Sequence, residues 1–486
     1  MDITMLHSKL PADGIAIFVK SECETCLMIK PLIKDMINLL PNIIVISQDD
    51  PAFSNNFSII DDRDLELSYR CKIETVPTVI YFKNGAEIKR SFGWHRQEWQ
   101  DLSGLENLGT GLPNQRPGCG SRTQEPGALK VLEAKYSQTN IQSREIPFGE
   151  WDDEMEVCFE RGWSDGLPVT PPTDARILRM LQGTNRKPDE IIGMVPPNLV
   201  PISVEKVAIN AVLAGCLPEY MPVILAALEA SLEPEATMHG VLCTTCFSSP
   251  ILVVNGPISK EIGMNSGINC LGQGNRANAT IGRALQLIIR NVGGGIPGEL
   301  DRAVLGGPGK FTFCFAEDES DPTWMPLNQS RGFKLGTNTV TLFQGDGIQG
   351  FIDQRSRSPE ELIQSLARSL MAVGNWKLCE FTNAMLILVP EHYAIFREMG
   401  WNRQKITTEL HNALRRPGKD VIKGAHGIGE GVDPERKDEM VNKFWPEGLQ
   451  IVHAGGQAGL FSAICAGWTG GRFRHESKTV TKEIKL

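Results

Sequence analysis

The four residues Cys23-Glu-Thr-Cys26 constrain this chain more than any other feature. They follow a short β-rich run, Gly14 to Val19, and open a stretch with helical apolar spacing, Cys26 to Leu40. A helix N-terminus offers unsatisfied N–H groups and the positive end of a dipole, and both favour a thiolate. Two intervening residues let the second thiol reach the first. One sulfur can then attack a disulfide while the other resolves the mixed intermediate. Read instead as half of a zinc site, the pair needs two more ligands, and Cys71 is the one candidate nearby.

The chain of 486 residues is long enough for about three domains. Its composition, 41% apolar and 22% charged, is that of a globular protein. Three parts are expected: a head over residues 1–105, a linker over 106–147 and a body over 148–486. The linker carries GTGLPNQRPGCGSRTQEPG, a composition that cannot bury a core. A short helix from Leu129 to Tyr136 interrupts it. Cys119 sits there between two glycines and reads as an exposed, incidental thiol, with reactivity as the alternative. In the body, strand-like runs (251–255, 311–315, 340–343, 384–389, 449–452) alternate with helical ones (204–214, 221–231, 280–291, 359–371, 402–415). That alternation points to an α/β body. ILVVNGPISKEIGMN and MLILVPEHYAIFREMGWN echo one another, as an internal duplication or as two chance strand–helix units.

Charge and hydropathy exclude several classes of partner. The net charge is −9, and no basic stripe is present for nucleic acid or an anionic membrane surface. The longest apolar stretch, Val207 to Leu232, is broken by Pro218, Glu219 and Pro222, so no membrane span is expected. The N-terminus lacks a basic region followed by an apolar core, and a cytoplasmic chain is expected. There, twelve cysteines act as buried fillers, metal ligands or redox groups rather than structural disulfides.

The head resembles the thioredoxin superfamily over about 100 residues. The resemblance rests on CETC after AIFV, on Pro31, and on Val76-Pro77-Thr78 leading into VPTVIYFKNGAEIKRSFG. It implies a redox-active CxxC, a cis Pro77 lying against it, and a surface at Val76 and Pro77 that docks extended substrate backbone. Two positions depart from the family. Glu22 replaces the usual Trp, and a neighbouring carboxylate should disfavour the Cys23 thiolate. Ile17 stands where the family often buries an acid. Residues 48–63 also look longer than usual. These departures favour a dedicated partner, within the chain or outside it, over broad substrate scope.

A second pair, Cys243 and Cys246, precedes a strongly apolar strand, with His239 four residues upstream. Three readings are open: a redox dithiol recycled by the head, metal ligands with His239 or Cys270, or buried thiols. The turn after IVHA, with Gly455, Gly456 and Gly459, reads as strand, glycine-rich turn and helix-like run, an anion cradle or a tight turn. CLGQGNRANATIGRAL offers a weaker cradle, and GAHGIGEG a mobile loop. His453 is the first catalytic candidate among the histidines and His239 the second. Glu317, Asp318 and Glu319 follow a strand as ligands for a divalent metal, acid–base groups or a solvated loop. GWSDGLPVTPPT reads as a rigid loop, packed or lining a cleft. The body also resembles uncharacterised bacterial proteins that share GWSDGLPVTPPT and NRANATIGRAL, which implies no reaction.

Two functions stand against each other. In the first, the chain is a thiol–disulfide oxidoreductase, with Cys23 as nucleophile, Cys26 as resolving thiol and Cys243/Cys246 receiving electrons. In the second, the head is a docking or metal-handling module. The body is then a metal-dependent hydrolase or lyase, or a small-molecule binding domain. No organic cofactor and no metal are assigned. The expected partner is a protein or internal thiol/disulfide, with a small-molecule substrate for the body.

Overall fold

The chain divides into two units, Met1–Asn140 and Ile141–Leu486. A computed structural model describes residues 9–136, 141–144, 146–147, 149, 152–468 and 478–486. Residues 1–8, which bear on the expected absence of a secretory signal, and residues 137–140 of the expected linker lie outside the described residues.

In the first unit, GIAIFV forms β1 (Gly14–Val19), an unbroken apolar run because both of its faces are covered. Helix α1 (Glu24–Leu39) follows, and it buries Cys26, Ile29, Ile33 and Met36 at helical spacing. Strand β2 (Ile43–Ser47) pairs parallel with β1, and β3 (Ile59–Asp61) parallel with β2. The short helix α2 (Glu66–Arg70) leads to β4 (Thr75–Val76), the cis Val76–Pro77 peptide and β5 (Thr78–Lys83), antiparallel to β1. Asn84 and Gly85 both hold positive φ, 52° and 76°. That two-residue turn closes β5 onto β6 (Ala86–Phe92). The sheet order is β3-β2-β1-β5-β6. Next come β7 (Trp94–His95) and α3 (Arg96–Ser103).

The chain beyond residue 105 departs from the expected linker. Leu108 joins the core of this unit. Strand β8 (Gln115–Arg116) pairs with β7, and β9 (Cys119–Gly120) pairs with β4. Helix α4 (Ala128–Tyr136) brings the Tyr136 hydroxyl to Asp64 O at 3.0 Å. Glycine and proline here serve close backbone approach to a neighbouring strand, a need that resembles linker composition when read locally.

The second unit contains a seven-stranded sheet among its described residues. Helices α5 (Val204–Ala214), α6 (Met221–Leu232) and α7 (Met238–Cys243) precede β10 (Ser249–Asn255). Helix α8 (Arg276–Asn291) then crosses to β11 (Cys314–Ala316), parallel to β10, and β12 (Thr339–Ile352) returns antiparallel. Helix α9 (Pro359–Met371), started by a capping box at Ser358 and Glu361, leads to β13 (Thr382–Leu388). Helices α10 (Pro390–Glu398) and α11 (Arg403–Ala413) cross to β14 (Phe444–His453), parallel to β13. Strand β15 (Phe461–Gly467) returns antiparallel, and β16 (Val480–Glu483) pairs with β12. The order is β11-β10-β12-β15-β13-β14. Residues 461–467 therefore form a strand, where the sequence pattern suggested a helical run. The strands paired on either side outweigh the ambiguity of a short apolar run. No described helix is long and apolar enough to cross a membrane.

Candidate active site

Cys23 is the N-cap of α1, and its carbonyl accepts the first helical bond, from Leu27 N at 3.0 Å. The Cys23 and Cys26 side chains are fully buried, and both are free thiols. Their acidities are driven apart. A hydrogen bond from the Cys26 thiol, opposed by burial and aided by a second from Cys119, lowers Cys23 to about 5. Burial and that same bond to Cys23 push Cys26 far above the ordinary thiol range. One sulfur is thus held as a thiolate while its neighbour keeps its proton. The penalty expected from Glu22 is not decisive. That residue is exposed, and its amide donates to Asp49 Oδ2 at 3.3 Å. Ile17, at the expected acid position, is fully buried core.

The Cys23 thiol also faces Val76 O at 3.4 Å, beside the cis Pro77. Val76 is paired in turn with Cys119. Sequence reasoning missed Cys119. It took the residue for an incidental surface thiol, yet Cys119 packs partly buried against the core and its S–H donates to Cys23. The available signal was its setting, Gly118-Cys119-Gly120. A Cβ at Gly118 would lie 2.5 Å from Thr75 Cγ2 and 2.6 Å from Val76 O, so only glycine permits this approach.

In the second unit, Cys243 ends α7 and is exposed, as is His239 on the same helix. Cys246 is half-buried, with its sulfur 3.4 Å from Ser248 Oγ, which bonds Asp346. Both are free thiols. Cys270 is buried elsewhere, in the core under β10 and β14. Among the described residues, no three His, Cys, Asp or Glu side chains are placed to hold a metal ion.

His453 is buried at the end of β14. Its Nδ1 lies 3.0 Å from Asp318 O, and its ring packs on Trp324 and Tyr393. Its Nε2 is buried without a partner. Glu317 is not in a solvated loop. It is an internal acceptor, taking bonds from Asn255 Nδ2 (2.6 Å), Leu327 N (2.6 Å) and Trp324 Nε1 (2.9 Å), with Arg403 at 3.7 Å. Glu319 accepts from Gly256 N at 2.7 Å. The Gly455 amide donates to Ser266 O at 2.8 Å, and a Cβ at Gly456 would meet Ile268 Cγ1 at 2.8 Å. At Gly459, with φ +91°, a Cβ would meet the Phe461 ring at 2.5 Å. The turn leads into the strand β15 and not into a helix. Trp163, Pro171, Pro172 and Thr173 of the GWSDGLPVTPPT segment line a cavity of 870 Å³ with Ile209 and Asn291.

No protein-family model matches the chain, and no curated protein matches it. Among solved structures, the crystal structure of StoA from Bacillus subtilis is 18% identical, with a TM-score of 0.17, over 20% of this chain and 82% of that one. A secreted Mycobacterium tuberculosis disulfide oxidoreductase homologous to DsbE of E. coli is 14% identical, with a TM-score of 0.18. That match covers 20% of this chain and 84% of the other.

Proposed function

We propose that the chain is a thiol–disulfide oxidoreductase in which Cys23 attacks and Cys26 resolves, with Cys243 and Cys246 of the second unit as client. The opposed acidities of Cys23 and Cys26 at the start of α1 carry this reading. The Cys23 thiolate attacks a Cys243–Cys246 disulfide, and one client thiol leaves with a proton. Cys26 then displaces the other. The client gains two electrons as Cys23 and Cys26 become a disulfide. Asp346, beside Cys246 and raised by burial, is a group from which the leaving client thiolate can take a proton. The test begins with reduced wild type and a small disulfide, which should yield Cys23–Cys26. Cys23→Ser should abolish that product. In the double variant Cys26→Ser/Cys119→Ser, oxidised at Cys243/Cys246, peptide mapping should find Cys23 joined to one of that pair. If wild type forms no Cys23–Cys26 bond, the reading fails. If only the joined peptide is missing, the client lies elsewhere.

A second reading concerns the second unit alone, as a small-molecule binding domain at the 870 Å³ cavity, a volume suited to such ligands. Ile209→Trp, which fills the cavity, should remove fragment binding observed by ligand-detected NMR. Binding that survives the substitution sinks this reading. The order strand, crossover, parallel strand, antiparallel strand occurs in β10–β12 and again in β13–β15, which supports a duplicated half. An experimental structure whose halves fail to superpose would remove that support.

A further inference from the structure

A nucleophile that serves outside clients should be reachable, yet Cys23 is fully buried. The cover is the chain itself. Residues 113–121 run across the start of α1 and the Val76–Pro77 turn. Trp94 Nε1 donates to Pro113 O (2.7 Å) and Arg96 N to Asn114 O (2.8 Å). Thr25 Oγ1, one residue before Cys26, donates to Pro117 O at 2.7 Å. Lys20 Nζ reaches Gly120 O at 3.2 Å, and Ser121 N reaches Glu74 O at 2.9 Å. Between these ties the segment pairs antiparallel with β4, Val76 opposite Cys119 and Thr75 opposite Gly120. Gly93 is fitted to the same strap, since a Cβ there would lie 2.8 Å from Gly118 N. An extended backbone held on the residue before Pro77, with a cysteine presented to Cys23, has the form of a docked disulfide substrate.

We propose that residues 113–121 are a tethered substrate mimic and that Cys119 is a third redox thiol, forming a reversible disulfide with Cys23. The inference rests on the thiol–disulfide reading above and deepens it. When the strap lifts, the Cys23 thiolate attacks a client disulfide, R–S–S–R′, and R′–S⁻ leaves and takes a proton. As the strap returns, Cys119 attacks the Cys23 sulfur. The Cys23–Cys119 bond forms, and R–S⁻ leaves with the proton that Cys119 gave up. Cys26 then attacks Cys23, restoring the Cys119 thiol and leaving the Cys23–Cys26 disulfide. Two electrons have passed from the unit to the client, whose two thiols take one proton that began on Cys26 and one from solvent, and each exchange breaks one S–S bond as it makes another. Closure of the strap also explains how a thiolate lowered to about 5 is kept from reacting with every disulfide it meets.

The test uses the full-length chain. Reduced Cys26→Ser is treated with limiting 2-hydroxyethyl disulfide, alkylated, digested without reduction and mapped by mass. The expected product is a peptide pair joining Cys23 to Cys119 as the main oxidised species. In Cys26→Ser/Cys119→Ser that pair disappears, and Cys23 stops as the mercaptoethanol adduct. If Cys26→Ser itself accumulates the adduct while Cys119 is alkylated, the proposal is overturned. If wild type in the same experiment still forms Cys23–Cys26, the thiol–disulfide reading survives that loss; if it does not, both fall. Gly118→Ala tests the docking separately, because the added methyl must push the strap from Val76. Alkylation of Cys23 at pH 6 should rise about tenfold, in line with the strain of an inserted methyl at a tight contact. An unchanged rate in a folded variant overturns the docking.

Discussion

The pH profile of Cys23 alkylation tests the site most directly. Cys23 is lowered from 9.0 to about 5 by hydrogen bonds from Cys26 and Cys119 that outweigh its burial. At pH 6 about 90% of such a thiol is ionised, against about 0.1% of an ordinary one, a ratio of roughly 900. A less basic sulfur is also a weaker nucleophile. With a Brønsted slope of about 0.45, four units of acidity cost about 60-fold. The net advantage is about 15-fold at pH 6, vanishes near about pH 7, and becomes about a fivefold deficit at pH 8. The strap scales the absolute rate by the open fraction. It leaves the inflection alone, because the open thiolate is drawn from the closed one, whose pKa governs the populated state. The assay is iodoacetamide alkylation of the reduced chain, quantified at the Cys23 peptide, with urea-unfolded chain as reference. The folded rate should level off above about pH 6 while the unfolded rate still climbs about tenfold per unit toward pH 8. A folded rate that climbs in parallel would refute the hydrogen-bonded thiolate.

The same acidity shift bears on stability. Between about pH 6 and about 9 the unfolded Cys23 holds a proton that the folded one has lost, so the reduced first unit should gain stability as pH rises. Unfolding midpoints against pH should show that slope, and Cys23→Ser should flatten it; equal slopes in both proteins would count against the shift. Glu317→Ala strands Arg403 in the second unit, where the two side chains are only 0% and 7% exposed. A loss of about 3–5 kcal/mol is expected in urea unfolding followed by near-ultraviolet dichroism, and an unmoved midpoint would contradict it. Lys443, fully buried, donates to Val373 O, Asn375 O and Leu378 O at 2.7–2.9 Å. Lys443→Met should cost about 2–3 kcal/mol by orphaning those acceptors, a loss that thermal unfolding would register.

Local chemistry was legible where neighbours in sequence are neighbours in space. The Asn84-Gly85 turn could be read because a two-residue hairpin needs positive φ at both positions, and these residues tolerate it. Helix α9 appears in the structure with the bounds its apolar period suggests, since Ser358 and Glu361 cap it from within the segment. Burial was less legible. Glu317 and His453 stand out as polar residues at strand ends, but their sequence does not reveal that Trp324, Arg403 and Tyr393 close over them. The run at 461–467 was misread because a short apolar segment fits helix and strand equally until its partners are known.

The sequence by itself determined the CxxC, its place between strand and helix, and the closing hairpin after Pro77, because each depends on residues a few positions apart. Only the tertiary structure decided the company Cys23 keeps. Cys119 lies 96 positions away in the chain, and the Gly-Pro composition around it suits a loose linker as well as a strap. What distinguishes the two is the backbone of Thr75 and Val76, whose free edge pairs with Cys119 and Gly120 once the sheet exists. A strand edge takes its partner through backbone groups that every residue carries, so the choice of partner leaves little trace in the order of side chains.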